Sequence, residues 1–225
     1  MAGAARAPEG SGAMSDVAIV DYGINNVRSV RNAVEYCGFN PIVTHEADAI
    51  ADASHVILPG VGAFGDAMLN IRARGIDELL ERHVREKGKP FLAVCLGMQL
   101  LANSSEEHAD DGVRHRGLGW FDADVVRLMP NDPALKIPHM GWNVVAKERN
   151  HPVLANIRES NLAFYFVHSF AMRCNQPGDV VGYAQYGQRV TAIIAKDNIA
   201  ATQFHPEKSQ DSGIELMSNF LRWNP

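Results

Sequence analysis

The sequence predicts an α/β fold, an open, mostly parallel sheet flanked by helices with an antiparallel extension. Two observations carry this expectation. In the first half, short apolar runs alternate with segments whose apolar residues recur at helical spacing, as a sheet covered on both faces requires. In the second half, strand-like runs follow one another through short turns. No composition break, linker or repeat separates the halves, so one domain is expected over residues 14–225.

Taken in order, residues 17–22 form an apolar run suited to a buried strand. Val27, Val30, Val34 and Cys37 then recur at helical spacing, and Gly38 stands where such a helix would end. Residues 41–44 and 55–58 read as the second and third strands. Ile76, Leu79, Leu80 and Val84 mark another amphipathic helix, stopped at Gly88. Residues 91–94 are a fourth buried strand, followed at once by a helix start. Beyond it, 121–128, 162–167, 180–186, 190–195 and 199–204 read as strands, and a last helix carries Ile214, Met217, Phe220 and Leu221.

Composition narrows the function. The 225 residues are 46% hydrophobic and 21% charged, enough to bury a core without metal or disulfide staples. A net charge of −5 argues against nucleic acid or an anionic membrane surface as the main partner. The three cysteines have no paired spacing, which points to a reducing, cytoplasmic setting. The longest apolar run, 91–102, is interrupted by Gly97 and Gln99 and is too short to span a membrane. Residues 1–13 are rich in small residues, lack the apolar core of a signal peptide, and are expected to be a disordered extension.

The strongest chemical signal is Phe91-Leu92-Ala93-Val94-Cys95-Leu96-Gly97-Met98-Gln99. A thiol between a buried strand and a helix start sits on a sharp turn like a nucleophile elbow. The helix start favours thiolate, and the Leu96 amide would face an oxyanion formed beside the sulfur. A buried, inert cysteine is the commoner outcome for one Cys at a strand end, and Cys37 and Cys174 are read that way. The second signal is His205-Pro206-Glu207. Residues two apart on an extended segment point the same way, so the Glu207 carboxylate could hold the His205 imidazole. With Cys95 this makes nucleophile, base and orienting acid.

Two other readings are weaker. Gly60-Val61-Gly62-Ala63-Phe64-Gly65 spells a dinucleotide fingerprint, but no acidic residue ends the next strand about 20 residues on. Its amides instead suit a loop facing developing negative charge. His205-x-Glu207 lacks the Pro-Cys-x-x-Cys segment of zinc deaminases, so no metal is expected.

Cys95-Leu96-Gly97-Met98-Gln99 and His205-Pro206-Glu207 resemble the triad (class I) glutamine amidotransferases. Asp21-Tyr22-Gly23-Ile24-Asn25-Asn26, Pro59-Gly60-Val61-Gly62-Ala63-Phe64, Pro138-His139-Met140-Gly141-Trp142-Asn143, Tyr165-Phe166-Val167-His168-Ser169 and His205-Pro206-Glu207-Lys208-Ser209 are similar to the glutaminase subunits of imidazole glycerol phosphate synthases. The resemblance runs from about Met14 to the C-terminus. It implies that Cys95 attacks the side-chain amide of L-glutamine, that His205 moves the proton and that Glu207 orients it. Val61 and Leu96 would supply oxyanion amides, the former after a rearrangement around Gly60 and Val61. Gly62, Gln99, Glu107, His168 and Ser169 would line the glutamine pocket, and Asn25, Trp142 and Lys208 would face the partner.

The implied partner is a (β/α)8-barrel cyclase in a heterodimer. It takes up the ammonia and makes imidazole glycerol phosphate and aminoimidazole carboxamide ribotide in histidine biosynthesis, with no cofactor on this chain. Ammonia in neutral water is mostly protonated, so passing it to a docked partner keeps it nucleophilic. One departure is visible: Ala93 stands where elbows of the family usually carry Gly, which implies a tighter elbow.

Overall fold

The computed structural model describes residues 16–23, 26–109, 112–158 and 162–225. The expected N-terminal extension, the start at Met14 and the candidate Asn25 lie outside the described residues.

The first half is built as alternating strands and helices. Strand β1 (Asp16–Val20), helix α1 (Val27–Tyr36), β2 (Asn40–Thr44), α2 (Ala47–Asp52) and β3 (His55–Gly60) come first. Then follow α3 (Phe64–Ala73), α4 (Ile76–Leu80), β4 (Phe91–Cys95) and α5 (Leu96–Leu100). Successive side chains of a strand point to opposite faces, and both faces here are covered. Ala18 and Val20 pack with Met68, Ile71, Ile76 and Leu80 on one side, while Val17 and Ile19 pack with Val30 and Val34 on the other. This explains why the strands read as continuous apolar runs.

Helix α1 ends where the sequence indicates. Gly38 adopts φ 85°, its amide bonds Glu35 O at 3.0 Å, and Phe39 N bonds Val34 O at 3.2 Å. These two bonds close a left-handed cap that only glycine takes without strain. The helix expected to run to Gly88 is regular only over α4 and continues as a wide turn over Glu81–Glu86.

The second half contains β5 (Ser104–Ser105), β6 (His115–Arg116), β7 (Ala123–Arg127), β8 (His139–Lys147), β9 (Ala163–His168) and β10 (Phe170–Cys174). It finishes with β11 (Val180–Gln185), β12 (Arg189–Lys196), β13 (Ile199–Thr202) and α6 (Gln210–Leu221). Among the described residues the nine-stranded sheet has the order β2-β1-β3-β4-β13-β12-β11-β8-β9, and β10-β7-β5-β6 make a second, four-stranded sheet. The pairings from β2 to β13 are parallel and those from β13 to β9 antiparallel, so the antiparallel extension makes up half of the main sheet. The sequence does not reveal α2, α3, β8, β10 or the two-residue strands of the small sheet.

Chain order 2-1-3-4 places β1 at a switch point, and such sheets bind ligands beyond the carboxyl ends of their strands. At that edge β3 and β4 run parallel with Gly60 registered against Cys95. The glycine-rich loop and the candidate nucleophile therefore start side by side.

Candidate active site

Cys95 is the last residue of β4 and caps α5, with φ 56° and ψ −111°. A non-glycine residue held there costs about 1–3 kcal/mol and persists only where the surroundings over-determine it. The packing that does so is visible at two glycines. A Cβ on Gly97 would lie 2.1 Å from Leu58 O, and one on Gly60 would lie 2.7 Å from both Gly97 N and the Tyr22 hydroxyl. Helix α5 thus rests directly on the β3 backbone. Ala93, two residues before the thiol, is fully buried in the core, so its methyl is accommodated. As the first residue of α5, Leu96 has an amide with no carbonyl to pair within the helix.

His205 follows β13 on a short extended segment. Its backbone N donates to Tyr165 O at 2.9 Å, and its carbonyl accepts from Ser209 Oγ at 2.6 Å. Ser209 Oγ in turn accepts from Tyr165 N at 3.0 Å, so β9 clamps the histidine turn. His205 Nδ1 lies 2.8 Å from Glu207 Oε1, with the two side chains 3% and 2% exposed. Burial disfavours the imidazolium, but hydrogen bonds to Cys95 and Glu207 outweigh it and raise the imidazole to about 9. The ring is therefore placed to hold the proton that the attacking sulfur gives up.

This raised value has a stability consequence with a definite sign. A histidine lifted from 6.5 to about 9 by folding contributes stability that is complete below about 6.5 and lost as pH rises through about 9. Glu207→Gln removes the part of this rise that Glu207 supplies, so it should lower the thermal midpoint most near pH 6, with the gap to the parent narrowing as pH rises through about 9. Calorimetry across that range checks it.

A cavity of about 290 Å³ is lined by Val61, Gly62, Cys95, Leu96, Gln99, Glu107, Val167, His168, Ser169, Phe170, His205 and Lys208. The structure thus brings the sulfur, the imidazole, both oxyanion candidates and all five pocket candidates into one concavity. Glu207 stands behind His205, away from the lining. Glu107 is partly committed already, since its Oε2 accepts from Phe64 N at 2.7 Å at the start of α3. Lys208, expected to face the partner, lines the pocket itself, whereas Trp142 is half exposed on β8. A larger cavity of about 630 Å³, lined by β7 and β10–β12, contains none of the triad.

The sequence pattern does not single out Gln203, yet this buried residue donates from Nε2 to Cys95 Sγ at 3.8 Å and accepts from Gln99 Nε2 at 3.0 Å. The spacing could have found it, because Gln203 stands two residues before His205. Glu207 itself reaches His205 from a 3-10 turn over Pro206–Lys208 and not from the extended segment the sequence suggests. Tyr22 is a second addition. Burial, then the charges of Cys95 and Asp21, push its phenol well above the usual range. Its hydroxyl has no hydrogen-bond partner among the described residues.

The remaining cysteines sit in inert surroundings. Burial, then the Asp179 charge, pushes the Cys174 thiol up to about 12, and burial raises Cys37 as well. Among the described residues no group of three or more His, Cys, Asp or Glu could hold a metal, and no helix is long and apolar enough to cross a membrane.

The model of the class-I glutamine amidotransferase family matches residues 18–223. The imidazole glycerol phosphate synthase subunit HisH 2 of Nitrobacter winogradskyi is 74% identical over 212 residues, 94% of this chain and 100% of that one. The HisH subunit of Zymomonas mobilis is 45% identical, over 95% and 98% of the two chains. Among solved structures, PurLQS from Thermotoga maritima superimposes with a TM-score of 0.70 at 19% identity, covering 92% of this chain and 98% of that one. The glutaminase domain of Trypanosoma brucei CTPS, with bound acivicin, gives 0.61 at 14% identity over 94% and 96%. At such identities these two report the fold alone. The chain belongs to the class-I glutamine amidotransferases and, within them, to the HisH subunits of imidazole glycerol phosphate synthase.

Proposed function

We propose that this chain hydrolyses L-glutamine to glutamate and ammonia as the glutaminase subunit of imidazole glycerol phosphate synthase, and passes the ammonia to a (β/α)8-barrel cyclase. The observation that carries the reading is the strained Cys95 sharing one small cavity with His205, whose buried imidazole is paired with Glu207. Cys95 Sγ adds to the glutamine amide carbon while its proton passes to His205. The tetrahedral oxyanion is met by the amides of Leu96 and, after rearrangement of the Gly60–Val61 peptide, Val61. His205 then protonates the departing ammonia, leaving a glutamyl thioester. Water activated by the same imidazole releases glutamate and restores the thiol. Gly62, Gln99 and Glu107 hold the amino-acid end of glutamine, and His168 and Ser169 line the same pocket. No cofactor enters these steps.

The docking face is supported by an inverted strand pattern. On β8, His139 and Val145 point inward, while Met140, Trp142 and Val144 are 60%, 50% and 60% exposed. Register places Trp142 against Tyr165 and Met140 against Val167, and Val167 also lines the catalytic cavity. An apolar stripe beside an active site marks a partner surface. Trp142→Asp should weaken association with the cyclase by about 100-fold or more, as loss of a buried aromatic anchor does, while leaving the thermal midpoint of the free chain within about 2 °C. Titration calorimetry with the cyclase and a melt of the free chain check both halves.

We place residues 14–225 in one amidotransferase domain acting in the cytoplasm. Glutamate release is to be measured for the chain alone, with the cyclase, and with the cyclase and its nucleotide substrate. The reading expects most activity in the third arm. Equal activity in all three would remove the partner from it.

A further inference from the structure

A continuous path of six hydrogen bonds runs from β8 to the sulfur of Cys95. Asn143 Nδ2 lies 3.2 Å from His139 Nε2, His139 Nδ1 lies 3.0 Å from His168 Nε2, and His168 Nδ1 lies 2.8 Å from Phe170 O. The same carbonyl accepts from Gln99 Nε2 at 2.9 Å; Gln99 Nε2 also reaches Gln203 Oε1 at 3.0 Å, and Gln203 Nε2 reaches Cys95 Sγ at 3.8 Å.

Both ends of the histidine segment fix its polarity. Asn143 Nδ2 also donates to Gln185 O at 2.9 Å and Asn143 Oδ1 accepts from Val144 N at 2.8 Å, so the nitrogen must face His139. At the other end a carbonyl can only accept, so His168 Nδ1 carries the hydrogen. It follows that His168 Nε2 accepts, His139 Nδ1 donates and His139 Nε2 accepts. Every ring nitrogen has one role, and both rings must be neutral. Burial agrees, holding His139 near 4 and, with Phe170 O opposing and His139 and His205 adding, His168 near 3. His139 is further locked between Phe166 and Tyr186, whose ring centroids lie 4.7 and 4.0 Å away. Phe170 O, with two donors, has both lone pairs engaged. Gln99 spends both amide hydrogens on the path, which leaves its Oε1 for substrate.

We infer that Gln203 is a positioning residue for Cys95, and that the Asn143–His139–His168 segment fixes the Gln203 amide through the shared Phe170 carbonyl. The orientation of the nucleophile is thereby tied to the strand that carries the apolar stripe. This deepens the glutaminase reading and rests on Cys95 being its nucleophile. A donor aimed at sulfur favours its charged form, and the chain of bonds sets where that donor points.

The test is a double-mutant cycle read in two ways. In the isolated chain, the rate of Cys95 alkylation by iodoacetamide is followed by peptide mass spectrometry, which needs no partner. In the complex with the cyclase, kcat and KM for glutamine are measured. Gln203→Leu should slow alkylation and lower kcat by about tenfold, with KM within about twofold. His139→Phe, which keeps a ring in the stack, and Asn143→Ala, at a partly exposed position, should each cost at least about threefold. Distant independent sites give additive effects, whereas one path does not, so Gln203→Leu combined with His139→Phe should be no slower than Gln203→Leu alone. Additive losses, or unchanged alkylation in Asn143→Ala, would overturn the path. A Cys95→Ser control that stays inactive in that event would leave the glutaminase reading standing.

Discussion

Cys95→Ser is expected to lower glutamate release by at least about 10³-fold in kcat while leaving the fold and glutamine binding in place. The substitution exchanges one atom at a position whose geometry is imposed from outside. The φ of 56° is set by α5 lying on β3 and by the parallel pairing of β3 with β4, none of which involves the sulfur. Serine therefore inherits the elbow, but an alkoxide forms far less readily than a thiolate. Glutamine affinity, read by calorimetry on the complex, should change by less than about threefold, because Val61, Gly62, Gln99, Glu107, His168 and Ser169 of the pocket lining are untouched. A serine variant that retained activity would place the nucleophile elsewhere. Cys37 and Cys174, both raised by burial, offer no replacement.

The second large effect concerns packing. Gly97→Ala would set a methyl 2.1 Å from Leu58 O, a strand carbonyl with no freedom to swing aside. Helix α5 would have to lift from β3, carrying the Leu96 amide and the Cys95 turn with it. The expected cost is about 3 kcal/mol or more of stability, beyond the usual range for overpacking because the obstacle is backbone. Activity should fall with it by about 10²-fold or more, since misplacement by an ångström suffices. Gly178→Ala is the control, as an added Cβ there meets nothing within 4 Å. Its denaturation midpoint should move little. Chemical denaturation of the three proteins distinguishes a specific clash from a general intolerance of alanine.

These two effects lie where the sequence is most legible, and the reason is physical. Strands β1, β3 and β4 are covered on both faces, so their apolar runs are continuous, and the glycines after α1 and before β4 mark real chain reversals. The nine-residue β8 escapes notice because its pattern is inverted. Histidine, glycine and asparagine alternate with Met140, Trp142 and Val144, and the apolar set faces outward. Helix α3 does carry a helical spacing in Phe64, Ala67, Met68 and Ile71, but it begins inside the glycine-rich stretch that invites another reading. Strands of two residues, β5 and β6, are too short to show any period.

The site divides in the same way. Cys95 and the His205–Glu207 pair are signalled locally, by a strand-to-helix junction and by spacing of two. The contact of His139 with His168 joins residues 29 apart across β8 and β9, and Gln99 meets Gln203 over 104 residues. Only pairing register and the closure of the sheet create those bonds, and no local pattern encodes them.

The most direct measurement is to trap the covalent intermediate. The complex with the cyclase is incubated with isotopically labelled glutamine, quenched in acid, digested and examined by mass spectrometry. The account predicts a labelled glutamyl thioester on the peptide containing Cys95, and none in Cys95→Ser. A label on the Cys37 or Cys174 peptide, or steady glutamate release by the serine variant, would contradict it.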